Sequence, residues 1–157
     1  MDRSQFIAHV ERSQGALRRF LTALCCGDAA RADDLAQETY VKGWLSCEGF
    51  RDSDKFNAWI HRIAYTTFLN SCRSQHHDMP IESVCHIEGD DRADASFRYQ
   101  ALYVALSQLP EKERTSILLY YLEGYSVEEI CGITGASAEA VRQHLSRGRR
   151  HLRGILT

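Results

Sequence analysis

Between positions 32 and 44 the small and apolar residues fall at Ala32, Leu35, Ala36, Thr39, Tyr40, Gly43 and Trp44. Alternating steps of three and four put them on one stripe of an α-helix. The other faces carry Asp33, Asp34, Gln37, Glu38 and Lys42, so the segment predicts a helix that buries one side and presents a polar, mainly acidic surface. A second stripe runs through Phe56, Trp59, Ile60, Ile63, Ala64, Thr67, Phe68, Ser71 and Cys72, leaving His61, Arg62, Tyr65, Thr66, Asn70 and Arg73 more outward. On that stripe Trp59 and Phe68 read as core. Earlier helices are predicted over residues 16–24 and, more weakly, 5–12. Residues 48–54 hold the glycine and short acids of a loop, with Ser53 or Asp54 placed to cap the helix after it.

The apolar period is lost over residues 74–95, which contain Met79-Pro80 and Gly89-Asp90-Asp91. It resumes with Leu102, Ala105, Leu106 and Leu109, a helix stopped by Pro110, whose ring suits the first turn of the next. That next helix is expected to bury Ile117, Leu118 and Tyr121 and to end at Gly124. Ser126-Val127-Glu128-Glu129 has the spacing of a capping box opening a short helix to about residue 131 or 132. A tight turn is expected at 133–136. Ser137 then caps a last helix with Val141, Leu145, Gly148, Leu152 and Ile155 inside. Short helix, glycine-containing turn and basic amphipathic helix make a helix-turn-helix. The expected fold is all-α: two small helical domains, residues 1–75 and 96–157, joined by a linker over 76–95 whose partner sets their relative placement.

Composition agrees with helix. The 157 residues are 44% hydrophobic and 25% charged, with two prolines and ten glycines. No apolar run spans a bilayer and the first residues carry no secretory pattern, so a soluble, cytoplasmic protein is expected. The net charge of −2 hides a distribution: ten Lys/Arg against nine Asp/Glu in residues 1–75, one against six in 76–95, eight against six in 96–157. Arg142, Arg147, Arg149, Arg150 and Arg153 fall in twelve consecutive positions without an acid, the local footprint that phosphate binding requires. The acidic linker is expected to be solvated and extended by self-repulsion; its alternative use is to compete with DNA for that basic surface.

Cys25, Cys26, Cys47, Cys72, Cys85 and Cys131 show no Cys-x-x-Cys pair and read as reduced thiols. His76-His77 with Cys85-His86 fits no common zinc spacing. No metal, cofactor or small-molecule substrate is expected. No Ser-His-Asp set, carboxylate pair or glycine-rich phosphate loop stands out, so the chain is not read as an enzyme.

With Val141 and Leu145 inside, the start of the last helix turns Glu139, Arg142, Gln143, Ser146 and Arg147 outward behind the Ser137 cap. Arg and Gln are suited to bidentate contacts with guanine and adenine in the major groove. Arg149, Arg150 and Arg153 lie further along and suit phosphates, which position a protein without reading sequence.

Helix-turn-helix units serve many regulators; the first half discriminates. Asp33-Asp34-Leu35-Ala36-Gln37-Glu38-Thr39-Tyr40 with Trp44 resembles region two of the sigma-70 family of RNA polymerase sigma factors, and 56–65 (Phe-Asn-Ala-Trp-Ile-His-Arg-Ile-Ala-Tyr) resembles its continuation in the extracytoplasmic-function type. Leu109-Pro110-Glu111-Lys112-Glu113-Arg114, Tyr125-Ser126-Val127-Glu128-Glu129-Ile130 and the stretch from Val141-Arg142 to Arg147-Gly148-Arg149 resemble region four. The resemblance implies a factor that binds core RNA polymerase, reads promoter DNA and initiates transcription, with an anti-sigma factor as a further partner. It implies core-binding roles for Asp34, Gln37 and Glu38, and minus-ten-element roles for Arg51, Lys55, Arg62, Tyr65, Thr66 and Asn70. The runner-up is a sigma-like decoy or regulator that binds polymerase or DNA without opening a promoter.

Overall fold

A computed structural model describes residues 1–51, 53–78 and 93–156. Among the described residues are seven α-helices: α1 (Arg3–Leu24), α2 (Ala29–Ser46), α3 (Phe56–Asp78), α4 (Ala93–Ser107), α5 (Glu111–Ile117), α6 (Val127–Thr134) and α7 (Ala138–Leu156).

The two early helices expected from the sequence are one. Asp2 starts it with a reciprocal cap, its carboxylate accepting the Gln5 N–H at 2.8 Å while the Gln5 side chain accepts the Asp2 N–H at 3.1 Å. Gly15 costs a helix interior roughly 1 kcal/mol relative to alanine. The buried line through Phe6, Ser13, Leu17, Phe20, Leu21 and Leu24 nevertheless continues across it, because tertiary burial outweighs that propensity. In α2 the predicted stripe is buried at Ala32, Leu35, Ala36, Thr39 and Gly43. A Cβ on Gly43 would stand 3.0 Å from Ile60 and 3.1 Å from Phe6, so glycine lets α1, α2 and α3 close on one another there. Short 3₁₀ turns at Cys47–Gly49 and Ser53–Lys55 lead into α3.

In the second half, Pro110 stands just before α5, and the chain continues from it as a π-helical turn over Leu118–Leu122. The Glu123 N–H reaches the Leu118 carbonyl at 3.1 Å and the Tyr125 N–H the Leu119 carbonyl at 2.9 Å. The extra residue shifts the register. Leu119 is 0% exposed and Tyr121 57%, which corrects the expectation that Tyr121 is buried. Leu102, also expected inside, is 40% exposed. The Ser126 hydroxyl and Glu129 carboxylate form the expected capping box on α6. That helix runs to Thr134 and ends on Gly135 at φ 78°, a left-handed position suited to glycine. The turn is therefore Gly135–Ser137, later than expected, and the Ser137 hydroxyl accepts the Ala140 N–H at 3.1 Å. Val141, Leu145 and Gly148 are buried along α7. A Cβ on Gly148 would lie 2.8 Å from Ile117, so α7 crosses α5 in close contact.

The halves share one continuous core in which Phe20, Leu24, Ile60 and Phe68 join Leu106, Leu109, Leu119 and Ile130. α6 packs along α3, and the π-helical turn packs on α1. As a result α3 is covered on two sides. His61 and Tyr65, expected outward, are 1% and 5% exposed, a correction that follows from a second neighbour on a face where periodicity registers only the first. α3 extends to Asp78 and α4 starts at Ala93, so the ends of the expected linker are helical, and residues 79–92 lie outside the described residues together with Cys85 and His86 of the suggested metal cluster.

Candidate nucleic-acid interface

α7 separates its two faces cleanly. Val141 and Leu145 hold it to the core, and Ser137, Glu139, Arg142, Gln143, Ser146 and Arg147 are all exposed along the side away from it. The αL turn at Gly135 and the Ser137 cap fix where this helix begins. Arg150 and Arg153 are exposed further along. Arg149 is half-buried and donates to the Tyr121 hydroxyl at 3.0 Å, so the outward Tyr121 orients one of the three predicted phosphate ligands. His151 is tied to the buried Glu113 carboxylate at 2.7 Å, which fixes the basic helix to α5. This face can offer bidentate donors to base edges at its start and guanidinium charge to phosphates toward its end.

A second open surface lies on α2. Asp34, Gln37 and Glu38 are exposed as predicted; Glu38 pairs with Lys42 at 3.3 Å, and the neighbouring Asp33 is held by Arg18 at 2.8 Å. Beside the acids, Val41 and Leu45 are 59% and 75% exposed. Sequence reasoning passed over these two, although apolar residues off a helix's buried stripe are the available signal for a docking face. Underneath, burial pushes the Tyr40 phenol up to about 12.

The third group is divided. Arg51, Lys55, Arg62, Thr66 and Asn70 are exposed, along the loop before α3 and its outward edge. Phe50 stacks on Trp59 with centroids 4.4 Å apart, and Trp59 packs edge-on to Phe6 as part of the first half's core. Tyr65 does not join the exposed set. It faces α5, where burial foremost, then its hydrogen bond and proximity to the Glu111 carboxylate, raise its pKa, opposed by Thr115.

A polar cluster between the halves had no sequence signal, since its members are far apart in the chain. The Glu123 side chain is 4% exposed; Arg19 reaches it at 3.3 Å and His61 Nε2 at 3.5 Å. His61 Nδ1 donates to the Asn57 carbonyl at 2.7 Å and lies 3.1 Å from the Tyr125 hydroxyl. Nearby, the Arg114 guanidinium donates to the Leu24 carbonyl at 3.1 Å across the same boundary. Among the described residues no group of three His, Cys, Asp or Glu side chains could hold a metal ion, and no described helix is long and apolar enough to cross a membrane.

Residues 9–77 match the family model for sigma-70 region 2, and residues 99–152 the model for sigma-70, region 4. The extracytoplasmic-function RNA polymerase sigma factor EcfG of Rhodopseudomonas palustris is 25% identical over 144 residues, covering 90% of this chain and 79% of that protein. The RNA polymerase sigma-H factor of Pseudomonas aeruginosa is 31% identical over 137 residues, covering 78% of this chain and 71% of that protein. Among solved structures, the sigma factor RpoE in complex with the anti-sigma factor NepR from Bartonella quintana aligns with a TM-score of 0.83 at 26% identity, over 96% of both chains.

Proposed function

The chain belongs to the sigma-70 family, in its extracytoplasmic-function branch, and from that premise we propose how its surfaces divide the work of a factor that binds core RNA polymerase and directs promoter recognition and initiation. The α2 face of Asp34, Gln37 and Glu38, extended by Val41 and Leu45, docks on core polymerase. Arg51, Lys55, Arg62, Thr66 and Asn70 serve the minus-ten element, and Tyr65 joins them only when α5 and α6 move off α3. On α7, Arg142, Gln143 and Arg147 read the upstream element, with Ser137, Glu139 and Ser146 beside them, and Arg149, Arg150 and Arg153 hold phosphates. Residues 1–75 and 96–157 act as two domains across the acidic linker, in the cytoplasm. An anti-sigma factor is a third partner; its support is the high likeness, over nearly the whole chain, to a sigma factor solved with one.

The observation that carries this reading is the pair of open faces on opposite halves, polar and apolar on α2, basic on α7, each backed by its own buried stripe. In-vitro transcription with core polymerase on a promoter library tests it. Specific transcripts are expected from promoters sharing two unlike elements. Charge reversal at Glu38 should weaken core binding while leaving helix content and melting unchanged. Unchanged affinity for Glu38→Lys would remove α2 from the core interface, and core binding without transcripts would make the chain a decoy.

A further inference from the structure

Two open apolar faces of the molecule carry opposite charge. The first is a groove of about 480 Å³ in the second half. Leu102 of α4, Ile117 of α5, Tyr121 of the π-helical turn, and Leu152 and Leu156 of α7 line it, with Arg149 among them. Leu102, Tyr121 and Leu156 are 40%, 57% and 56% exposed, and the first two stand where the sequence pattern asks for burial, so the single chain leaves apolar positions there without cover. Arg149 gives an N–H to the Tyr121 hydroxyl at 3.0 Å and pairs with no carboxylate among the described residues. A guanidinium has five N–H donors, so most of its capacity is unspent. The second face is the open side of α2, where Val41 and Leu45, 59% and 75% exposed, follow the exposed Glu38.

The two faces share one spacing. Glu38, Val41 and Leu45 step by three and then four along α2, and Arg149, Leu152 and Leu156 step by three and then four along α7. Such steps set each trio on one line of its helix, about 10 Å long at the helical rise. Laid side by side in parallel, the lines put Glu38 opposite Arg149, Val41 opposite Leu152 and Leu45 opposite Leu156. Laid antiparallel, they would put the carboxylate against Leu156, so charge selects the polarity. The α2 line is a ridge and the α7 line borders a groove, the arrangement by which one helix seats its apolar face in another surface. The Lys42 contact of Glu38 is an exposed pair, too weak to hold the carboxylate back. Both faces are open in the same molecule, so the complement that covers each belongs to another copy.

We propose that the α2 ridge of one copy of this chain docks in the α7 groove of a second copy, a head-to-tail contact through which the factor self-associates and covers its own polymerase-docking face. That covering rests on the assignment of Glu38, Val41 and Leu45 to core binding; the association itself does not. Each copy offers one ridge and one groove, so the contact is heterologous: two copies exchange both contacts, or successive copies add in a row. One helix line in one groove is smaller than the surfaces that hold permanent complexes together. The association therefore grows and dissolves with concentration, and core polymerase, competing for the same ridge, returns the factor to monomer.

The experiment is analytical ultracentrifugation of the full chain over a concentration series, with Leu45→Glu to spoil the ridge and Leu156→Glu to spoil the groove. Both positions are exposed, and circular dichroism confirms the fold. The parent's sedimentation coefficient is expected to rise with concentration. Each variant alone should associate roughly tenfold or more weakly, since an apolar anchor is replaced by a charge. An equimolar mixture of the two should pair, because each keeps the face the other has lost. Glu38→Arg should weaken association, and Glu38→Arg with Arg149→Glu in one chain should restore it. A parent that stays monomeric to its solubility limit overturns the proposal. A mixture of the two folded variants that stays monomeric overturns the pairing of these faces and points to a contact between like surfaces. Association that persists at saturating core overturns the competition for the ridge. Sedimentation reads association without polymerase, so a parent that associates but binds no core removes the core-docking assignment of α2 while the contact between copies is still decided.

Discussion

α7 and α3 are both long helices carrying polar residues to which DNA contacts are assigned in the proposed function, yet they are packed differently. α7 has its burial along one stripe, Val141, Leu145 and Gly148, resting on α5 and α6, and Arg142, Gln143, Ser146, Arg147 and Arg150 on its other side are exposed. α3 is gripped by α1 and α2 on one side and by α6 on the other. Its polar residues consequently split: Arg62, Thr66 and Asn70 stay at the surface, while His61 and Tyr65 become part of the boundary between the halves. A helix packed along one side keeps structure and recognition on separate residues. A helix packed on two opposite sides buries some of the polar residues that one-sided packing would leave open.

The sharpest way to break that comparison is to separate the faces of α7 by mutation. Leu145 is 3% exposed, and truncating a leucine so buried costs about 2–5 kcal/mol. Leu145→Ala should lower the urea midpoint of the second half accordingly, while the folded fraction keeps its base preference. A changed preference at saturating folded protein would mean that the stripe and the reading face are not independent.

The complementary substitutions act on the outward side. Arg142→Ala or Gln143→Ala should leave melting nearly unchanged and relax discrimination at particular base pairs by roughly 1–3 kcal/mol each if the contacts are bidentate. Arg150→Ala should instead weaken binding evenly across sequences and flatten the salt dependence by about one unit. Holoenzyme affinities on a panel of upstream-element variants at several salt concentrations separate the two patterns. An unchanged sequence preference in both Arg142 and Gln143 variants would end the assignment of α7 as the reader.

What was legible in the sequence follows the same division. The stripes of α2 and α7, the Ser126–Glu129 box, the Ser137 cap and the helix-turn-helix all follow from spacing within a few turns, because one buried face imposes one period. Tyr121 was misread because the π-helical turn inserts a residue where a 3.6 period assumes none. Leu102 was misread because its helix leaves that position at the surface. Gly15 and the short apolar steps around it obscured the continuity of α1. His61, Tyr65 and Glu123 lay beyond local reasoning altogether, since what buries them is contact between chain segments tens of residues apart. The family motifs named the two halves but carried no information on how they close.

The smallest expected effect concerns the phenols that the closed boundary buries, and it sharpens the contrast because α7 has none. Burial raises the pKa of Tyr125, with Glu123 and Glu129 nearby adding to it, and burial with Glu111 raises that of Tyr65. An exposed phenol ionises near pH 10, so the closed form holds its protons at a pH where an opened form begins to lose them. The stabilisation is therefore complete below about pH 10 and is lost as pH rises further through the raised values. At neutral pH it has no slope, and stability there should not respond. Scattering followed from pH 8 upward should show opening only above about pH 10, and Tyr65→Phe combined with Tyr125→Phe should remove that alkaline step while leaving any arising from the other tyrosines. An alkaline step that survives the double substitution at full amplitude would place its origin outside the boundary, and α3's second face would then be held by its apolar contacts alone.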